Sequence, residues 1–406
     1  MTLISQAELE HFVRPLSPDS DVDLKALFMA ATFSQLCEPG DKAFAILTGF
    51  FEGTQLLESL VAREDWQKVA NRLGNKRVQE LEGELSQPLE SLWKDCCQRW
   101  LPRLSKTEVL ASLDQGKALG IKLVSSDSDF YPVGFHSLMD AKPAVLWVLG
   151  DPGILSNPRM ISIVGSRNTS SYGRGVATDL ALVASDSQIV TVSGGAFGID
   201  ATVHQATLAA GGQTIAAMAG GLARLYPAAN HELLKSVART GAVISELPPS
   251  VAPAKWRFLM RNRLIAALGK ATVVVQAGLK SGSINTANRA SELGRRVAVV
   301  PGPINSAYSI GCHNLVNQKL GLIEVLSSVH QLPDLLNPVI DAKELPPGLG
   351  VLETRMLDAF GTGVNYLPEL LKESGLTSSE AFLALGSLEL EGLTERVGAG
   401  YRRVAK

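Results

Sequence analysis

Between residues 160 and 302, short apolar runs alternate with stretches at helical spacing. The runs are Met160–Val164, Ile189–Val192, Thr214–Met218, Ala242–Ser245, Ala271–Gln276 and Arg296–Val300. Each is rich in Val, Ile and Ala and lacks polar alternation, which predicts strands of a parallel sheet covered by helices on both faces. Right-handed crossovers put the C-terminal ends of such strands on one edge, where ligands of open parallel sheets bind. The polar, glycine-rich segments all follow strands. One site built from several loops is therefore predicted.

The flanking regions carry different patterns. Residues 1–105 show helical spacing over Leu24–Leu36, Ala43–Phe51 and Trp66–Leu81, broken most clearly at Glu38–Asp41. This reads as an N-terminal helical domain for packing, without chemistry of its own. Residues 106–330 form the central domain, in which Leu119–Val124 is a helix end feeding a strand and Pro143–Gly150 is an apolar strand that extends the sheet. A proline-rich linker is predicted over 331–350, with Pro333, Pro338, Pro346 and Pro347. Residues 351–406 read as three helices (Val351–Phe360, Tyr366–Ser374, Ser378–Leu390) and a hairpin turning at Gly398 and Gly400, the makings of a winged helix.

Composition narrows the setting. The 406 residues are 46% hydrophobic with a net charge of −2, which excludes a uniformly basic protein but not a local basic groove. Cys37, Cys96, Cys97 and Cys312 have neither zinc-site nor disulfide spacing, so a reduced, cytoplasmic setting and no metal are expected. No signal peptide and no apolar run of membrane-spanning length are read, so no membrane partner is expected.

The loops carry the candidate chemistry. Ser193, Gly194 and Gly195 between a strand and a helix form an anion cradle of free backbone N–H groups at a positive helix end. Gly165, Ser166 and Arg167 follow the first strand. They are not the dinucleotide fingerprint, which needs a second and third glycine and an acid after the next strand, so no cofactor is expected. Arg167 offers a forked cation for phosphate instead. Arg261, Asn262 and Arg263 lie in a block from 255 to 296 with nine Lys or Arg and one acid, Glu292, which points to a polyanion groove. Trp256 and Phe258 are candidates for base stacking or for core packing. Lys280, Ser281, Gly282, Ser283 and Thr286 open another helix with small hydroxyls suited to phosphate oxygens. His204 is a packed histidine. Asp200 and Glu246 have no evident nucleophile or metal partner, and no catalytic constellation is seen.

Taken in order, these segments resemble the DNA-processing protein A family (DprA/Smf) of bacteria. The resemblance rests on Gly165–Arg167 with Tyr172 and Gly173, Ser193–Asp200, Gly211–Ala216, Tyr226-Pro227, Ile244–Glu246, Arg261–Ile265, Ser281–Ser283 with Thr286 and Ala287, and Val300–Gly302. It spans roughly residues 120–330, and the C-terminal module looks like the winged helix many members carry. It implies an α/β, extended Rossmann-like sheet that binds single-stranded DNA without cutting it, hands the strand to the RecA recombinase in DNA processing, natural transformation or recombination, and forms a homodimer. By the same resemblance Arg167, Ser193–Gly195, Arg261–Arg263 and Ser281–Ser283 hold phosphates. Three departures stand out: Phe197 where many members have arginine, Gln276-Ala277 where Glu-Ala is common, and Asn285 at a usually apolar position.

The alternative is a nucleotide or nucleoside-phosphate hydrolase on a similar fold. The hallmark of the lysine-decarboxylase-like group, a glycine pair followed by a catalytic glutamate, is absent from Ala277–Asn285, and binding is the stronger reading. Residues 351–406 hold six Lys or Arg and eight Asp or Glu, and Thr377–Leu390 has no base at all. That module is expected to contact protein or cap the central domain, and not to read DNA.

Overall fold

The computed structural model describes residues 4–49, 51, 54–74, 78, 88–318, 323–337 and 350–404. The strands of the first unit, Met1–Asn337, are β1 (Lys122–Ser125), β2 (Val145–Gly150), β3 (Met160–Val164), β4 (Val190–Ser193), β5 (Thr214–Ala217), β6 (Ala242–Ser245), β7 (Ala271–Val274), β8 (Arg296–Val299) and β9 (Ile323–Val325). They form one sheet in the order β1-β2-β6-β5-β4-β3-β7-β8-β9. From β6 to β9 all neighbours are parallel, as the unbroken apolar runs predict, whereas β2 lies antiparallel to both β1 and β6.

The helices of this unit are α1 (Leu24–Leu36), α2 (Lys42–Thr48), α3 (Gln55–Val61), α4 (Trp66–Leu73), α5 (Leu89–Trp100), α6 (Lys106–Ala118), α7 (Ser171–Asp186), α8 (Ile199–Ala209), α9 (His231–Thr240), α10 (Lys255–Leu268), α11 (Gly282–Glu292) and α12 (Ile310–Asn317). The end of the helix predicted over Trp66–Leu81 falls largely outside the described residues. Side chains alternate across the sheet at the two-residue strand period. Leu146 and Val148 join Leu264 and Ile265 of α10 on one face, and Val145 and Trp147 point into a core shared with Leu27 and Phe33 of α1 on the other. Trp147 Nε1 donates to Ser34 Oγ at 3.1 Å.

The N-terminal helices drawn as a separate domain, 1–105, thus share one core with the sheet. Antiparallel additions bring no crossover helix of their own. The face of β1 and β2 is covered by α1 together with α6, whose Gly116 packs close against Trp147. Part of the predicted linker is likewise packed: Leu332 and Leu335 of a 3-10 segment, Val329–Leu336, are buried in the core under α7, and residues 338–349 lie outside the described set.

A polar spine runs through the interior beside α8. The Thr191 hydroxyl donates to Thr214 Oγ1 at 2.8 Å, and the Thr214 hydroxyl donates to Thr191 O at 3.1 Å. His204 Nδ1 lies 2.7 Å from Thr214 Oγ1. With the Thr214 proton committed, Nδ1 is the donor, and the buried Nε2 lone pair has no partner among the described residues. Burial first, and then the Arg261 charge, push the His204 pKa down from 6.5 to about 3. The unfolded chain therefore binds a proton here that the folded chain refuses. Stability is full above the unfolded value and is lost as pH falls from 6.5 toward 3, by about 1.4 kcal/mol per pH unit. Unfolding free energies from urea titrations, measured against pH in the native chain and in His204→Asn, should differ by that slope; parallel curves would remove His204 from the acid transition.

The second unit, Pro338–Lys406, contains α13 (Val351–Asp358), β10 (Val364–Tyr366), α14 (Leu367–Ser374), α15 (Ser378–Leu390), β11 (Thr394–Val397) and β12 (Gly400–Arg403). The three helices and the hairpin stand where the sequence puts them. β10 pairs with β12 to make a sheet in the order β10-β12-β11. Met356, Leu370, Leu385, Leu388 and Tyr401 fill the core.

Candidate nucleic-acid interface

From β3 the chain winds through β4, β5 and β6 to one side. It then returns over α10 to β7, which pairs with β3 on the other side. The β3–β7 junction is a topological switch point, where the loops leave a crevice at the C-terminal edge. A cleft of about 850 Å³ opens there, lined by Gly165–Asn168, Lys255, Phe258, Leu259, Arg261, Asn262, Lys280–Ser283 and Thr286.

The walls are tied together by groups the sequence flagged as departures. Ser166 N–H donates to Gln276 O at 2.8 Å. The Gln276 side chain accepts from Thr169 Oγ1 at 2.9 Å and Ser170 N–H at 3.1 Å, and donates to Ser170 Oγ at 2.8 Å. A glutamate there could accept but not donate, so Gln276 completes a stitch between the loops after β3 and β7. Asn262 Nδ2 donates to Asn285 Oδ1 and to Gly282 O, both at 3.2 Å, joining α10 to α11. Gly165 is needed for a close approach, because a Cβ there would lie 2.5 Å from Ile199 Cγ1. At the start of α11 the Ser281 side chain accepts from Ser283 N–H at 3.4 Å, and the two hydroxyls sit 2.7 Å apart. Gly282 is exposed beside them, leaving the positive helix end open to the cleft.

Other predicted site residues serve the fold. Gly194 and Ala196 N–H donate to Asp200 Oδ2 at 3.2 and 3.4 Å, so the loop's own carboxylate fills the predicted anion cradle. Ser193 Oγ donates to Ile163 O at 2.7 Å, and Gly195 O accepts from Asn230 Nδ2 at 2.9 Å. Arg261 is buried and donates through Nη1 to Gly194 O at 2.8 Å and to Ala217 O. Arg261 and Asp200 face each other across Gly194, where a Cβ would lie 2.7 Å from both. Burial pushes the Asp200 carboxyl up and the Arg261 guanidinium down to about 10, and each charge partly restores the other. Arg263 clasps Glu246 through both Nη atoms at 2.6 Å and donates from Nε to Ala141 O at 3.0 Å. Helical geometry held the signal for this: positions two apart diverge by about 200°, so Arg261 and Arg263 cannot share a face.

The basic block from 255 to 296 disperses in the same way. Arg257 pairs with Glu38, Arg289 with Glu292 and Arg296 with Glu324, and Arg295 bonds backbone carbonyls of Gly269 and Gly134. At the cleft the exposed cations are Arg167, Lys255 and Lys280; none makes a salt bridge among the described residues. The Arg167 guanidinium lies 5.2 Å from the Phe258 ring centroid, and the Phe258 and Tyr226 rings are 5.7 Å apart. Tyr226 and the exposed Arg224, both from the loop after β5, were missed as site residues. Isolated in sequence from any basic run, they are placed at this edge only by the crossover.

This frame defines the class: a Rossmann-like α/β protein whose switch-point cleft presents cations, helix-end amides and aromatic rings together. The family model of DNA recombination-mediator protein A matches residues 122–333, and the chain belongs to this family, the DNA-processing protein A (DprA/Smf) family. It is 40% identical over 225 residues to DNA processing protein DprA of Bacillus subtilis, covering 55% of this chain and 74% of that one. It is 33% identical over 321 residues to Protein Smf of Escherichia coli, covering 76% and 84%. The X-ray structure of DNA processing protein A from Streptococcus pneumoniae matches with a TM-score of 0.56 and 27% identity, covering 75% of this chain and 94% of that one. No helix among the described residues is long and apolar enough to cross a membrane.

Proposed function

We propose that the cleft binds single-stranded DNA without sequence specificity. The observation that carries this reading is the grouping of three cations that make no salt bridge among the described residues, Arg167, Lys255 and Lys280, around the α11 N-terminus beside the Phe258 and Tyr226 rings. Phosphates take the cations and helix amides, and bases stack on the rings. Fluorescence anisotropy of a labelled oligo-dT across a salt series tests it. Affinity should fall steeply with salt, with a slope of about −0.7 per phosphate contact. Weak binding insensitive to salt would overturn the reading.

Membership of the family supports the next step, in which the bound strand passes to a RecA-type recombinase and two copies of the chain act together. A hydrolase is less well supported: Asp200 is held by loop amides and Glu246 by Arg263, so neither acid is free to act as a base. The second unit takes no part in strand binding on this reading, since α15 carries no cation. A 1–345 truncation should change oligo-dT affinity by less than about threefold, and a larger loss in the same assay would place DNA contacts in the second unit.

A further inference from the structure

We infer that α15 is a docking face for a partner helix that is apolar on one side and flanked by Lys or Arg. The helix has two apolar arcs. Ala381, Ala384, Leu385 and Leu388 are buried in the core of the second unit. On the opposite side, Phe382 (54% exposed), Leu383 (69%) and Leu390 (92%) stand in solvent.

At about 100° per residue, Phe382, Leu383, Gly386 and Leu390 fall within one arc roughly 100° wide and about 12 Å long. A helix apolar on both sides is the pattern of a buried helix. Among the described residues, one side has no cover. Gly386 sits mid-arc, and a Cβ there would meet nothing within 4 Å, so a partner backbone can approach closely.

Charge selects the occupant. Glu389 borders the arc on one side, Glu380 lies about 60° beyond the other edge with one carboxylate oxygen in the capping box at Thr377, and α15 contains no Lys or Arg. A second copy laid on this face would bring the glutamates of two α15 helices together with no cation on either helix, which opposes self-pairing. A helix bearing bases beside its apolar stripe meets the same rim with opposite charge, the helix-in-groove mode of recognition. The inference does not depend on the strand-binding reading of the cleft.

The test uses the full chain and two labelled peptides of about twenty residues. One has Leu at i, i+3, i+4 and i+7 flanked by Lys and Arg; its twin has Glu at every flanking position. Anisotropy should show the basic peptide binding about tenfold or more tightly than the twin. Leu383→Ser and Leu390→Ser, which leave every charge in place, should each weaken it about tenfold or more. Both positions are exposed, so the variants keep the fold, and oligo-dT binding should be unchanged in both. Three results would overturn the inference: neither peptide binds, the two bind alike, or the serine variants leave basic-peptide affinity unaltered. Sedimentation showing self-association that Leu383→Ser abolishes would assign the face to a second copy instead.

Discussion

Arg261→Ala is expected to destabilise the first unit by about 3–5 kcal/mol, the cost of removing one partner from a buried charged pair. The guanidinium bonds the carbonyls of Gly194 and Ala217 and faces Asp200. Its loss leaves two acceptors unsatisfied, opens a cavity at the ends of β4 and β5, and strands a buried carboxylate. Equilibrium urea unfolding reads the effect directly. A midpoint within error of the native chain would show that the pair contributes little. Arg261→Ala also weakens oligo-dT binding, but through disorder of the loop after β4 and of α10. Asp200→Asn separates the two causes: it keeps the shape of the pair and should retain most of the affinity, whereas a direct phosphate contact by Arg261 would make binding tighter once the competing acid is gone.

The second large effect is on binding alone. Alanine at Arg167, Lys255 and Lys280 together should lower oligo-dT affinity about 100-fold near 0.1 M salt and flatten the salt slope by about 2, three contacts at roughly 0.7 each. The three side chains are exposed and make no salt bridge among the described residues, so the unfolding free energy from urea titration should change by no more than about 0.5 kcal/mol. An unchanged slope would move the strand off this cleft. Arg224, further along the same edge, is expected to add a smaller decrement of the same kind, measured in the same titration.

The parallel strands were legible because residues buried on both faces must be apolar throughout, and the runs from Met160 to Val300 show that without ambiguity. The cleft loops were legible because glycine and small hydroxyls between a strand and a helix mark an open helix end, although at Ser193–Gly195 the same signature serves the fold. Charge was less informative. A basic count along the chain does not say which arginines already have acids, and Glu38, Glu246 and Glu324 come from distant segments to neutralise Arg257, Arg263 and Arg296. The sequence likewise did not show that Asp200 is held by loop amides and Glu246 by Arg263. The departures at Gln276 and Asn285 became intelligible only as hydrogen bonds between loops and helices.

The amino-acid sequence by itself determined the family, the parallel sheet, the edge on which the candidate cleft opens, and the absence of cations from α15, since each rests on local pattern or on residues close in the chain. Tertiary structure alone decided which members of that edge face solvent. It turned the Gly194 and Ala196 amides inward onto Asp200, buried Arg261 and Arg263, drew Arg224 and Tyr226 beside α10, and merged the N-terminal helices into the core over β1 and β2. The physical reason is the same in each case: whether a polar group binds a ligand or holds the fold depends on what lies across the gap from it, and that neighbour comes from another part of the chain.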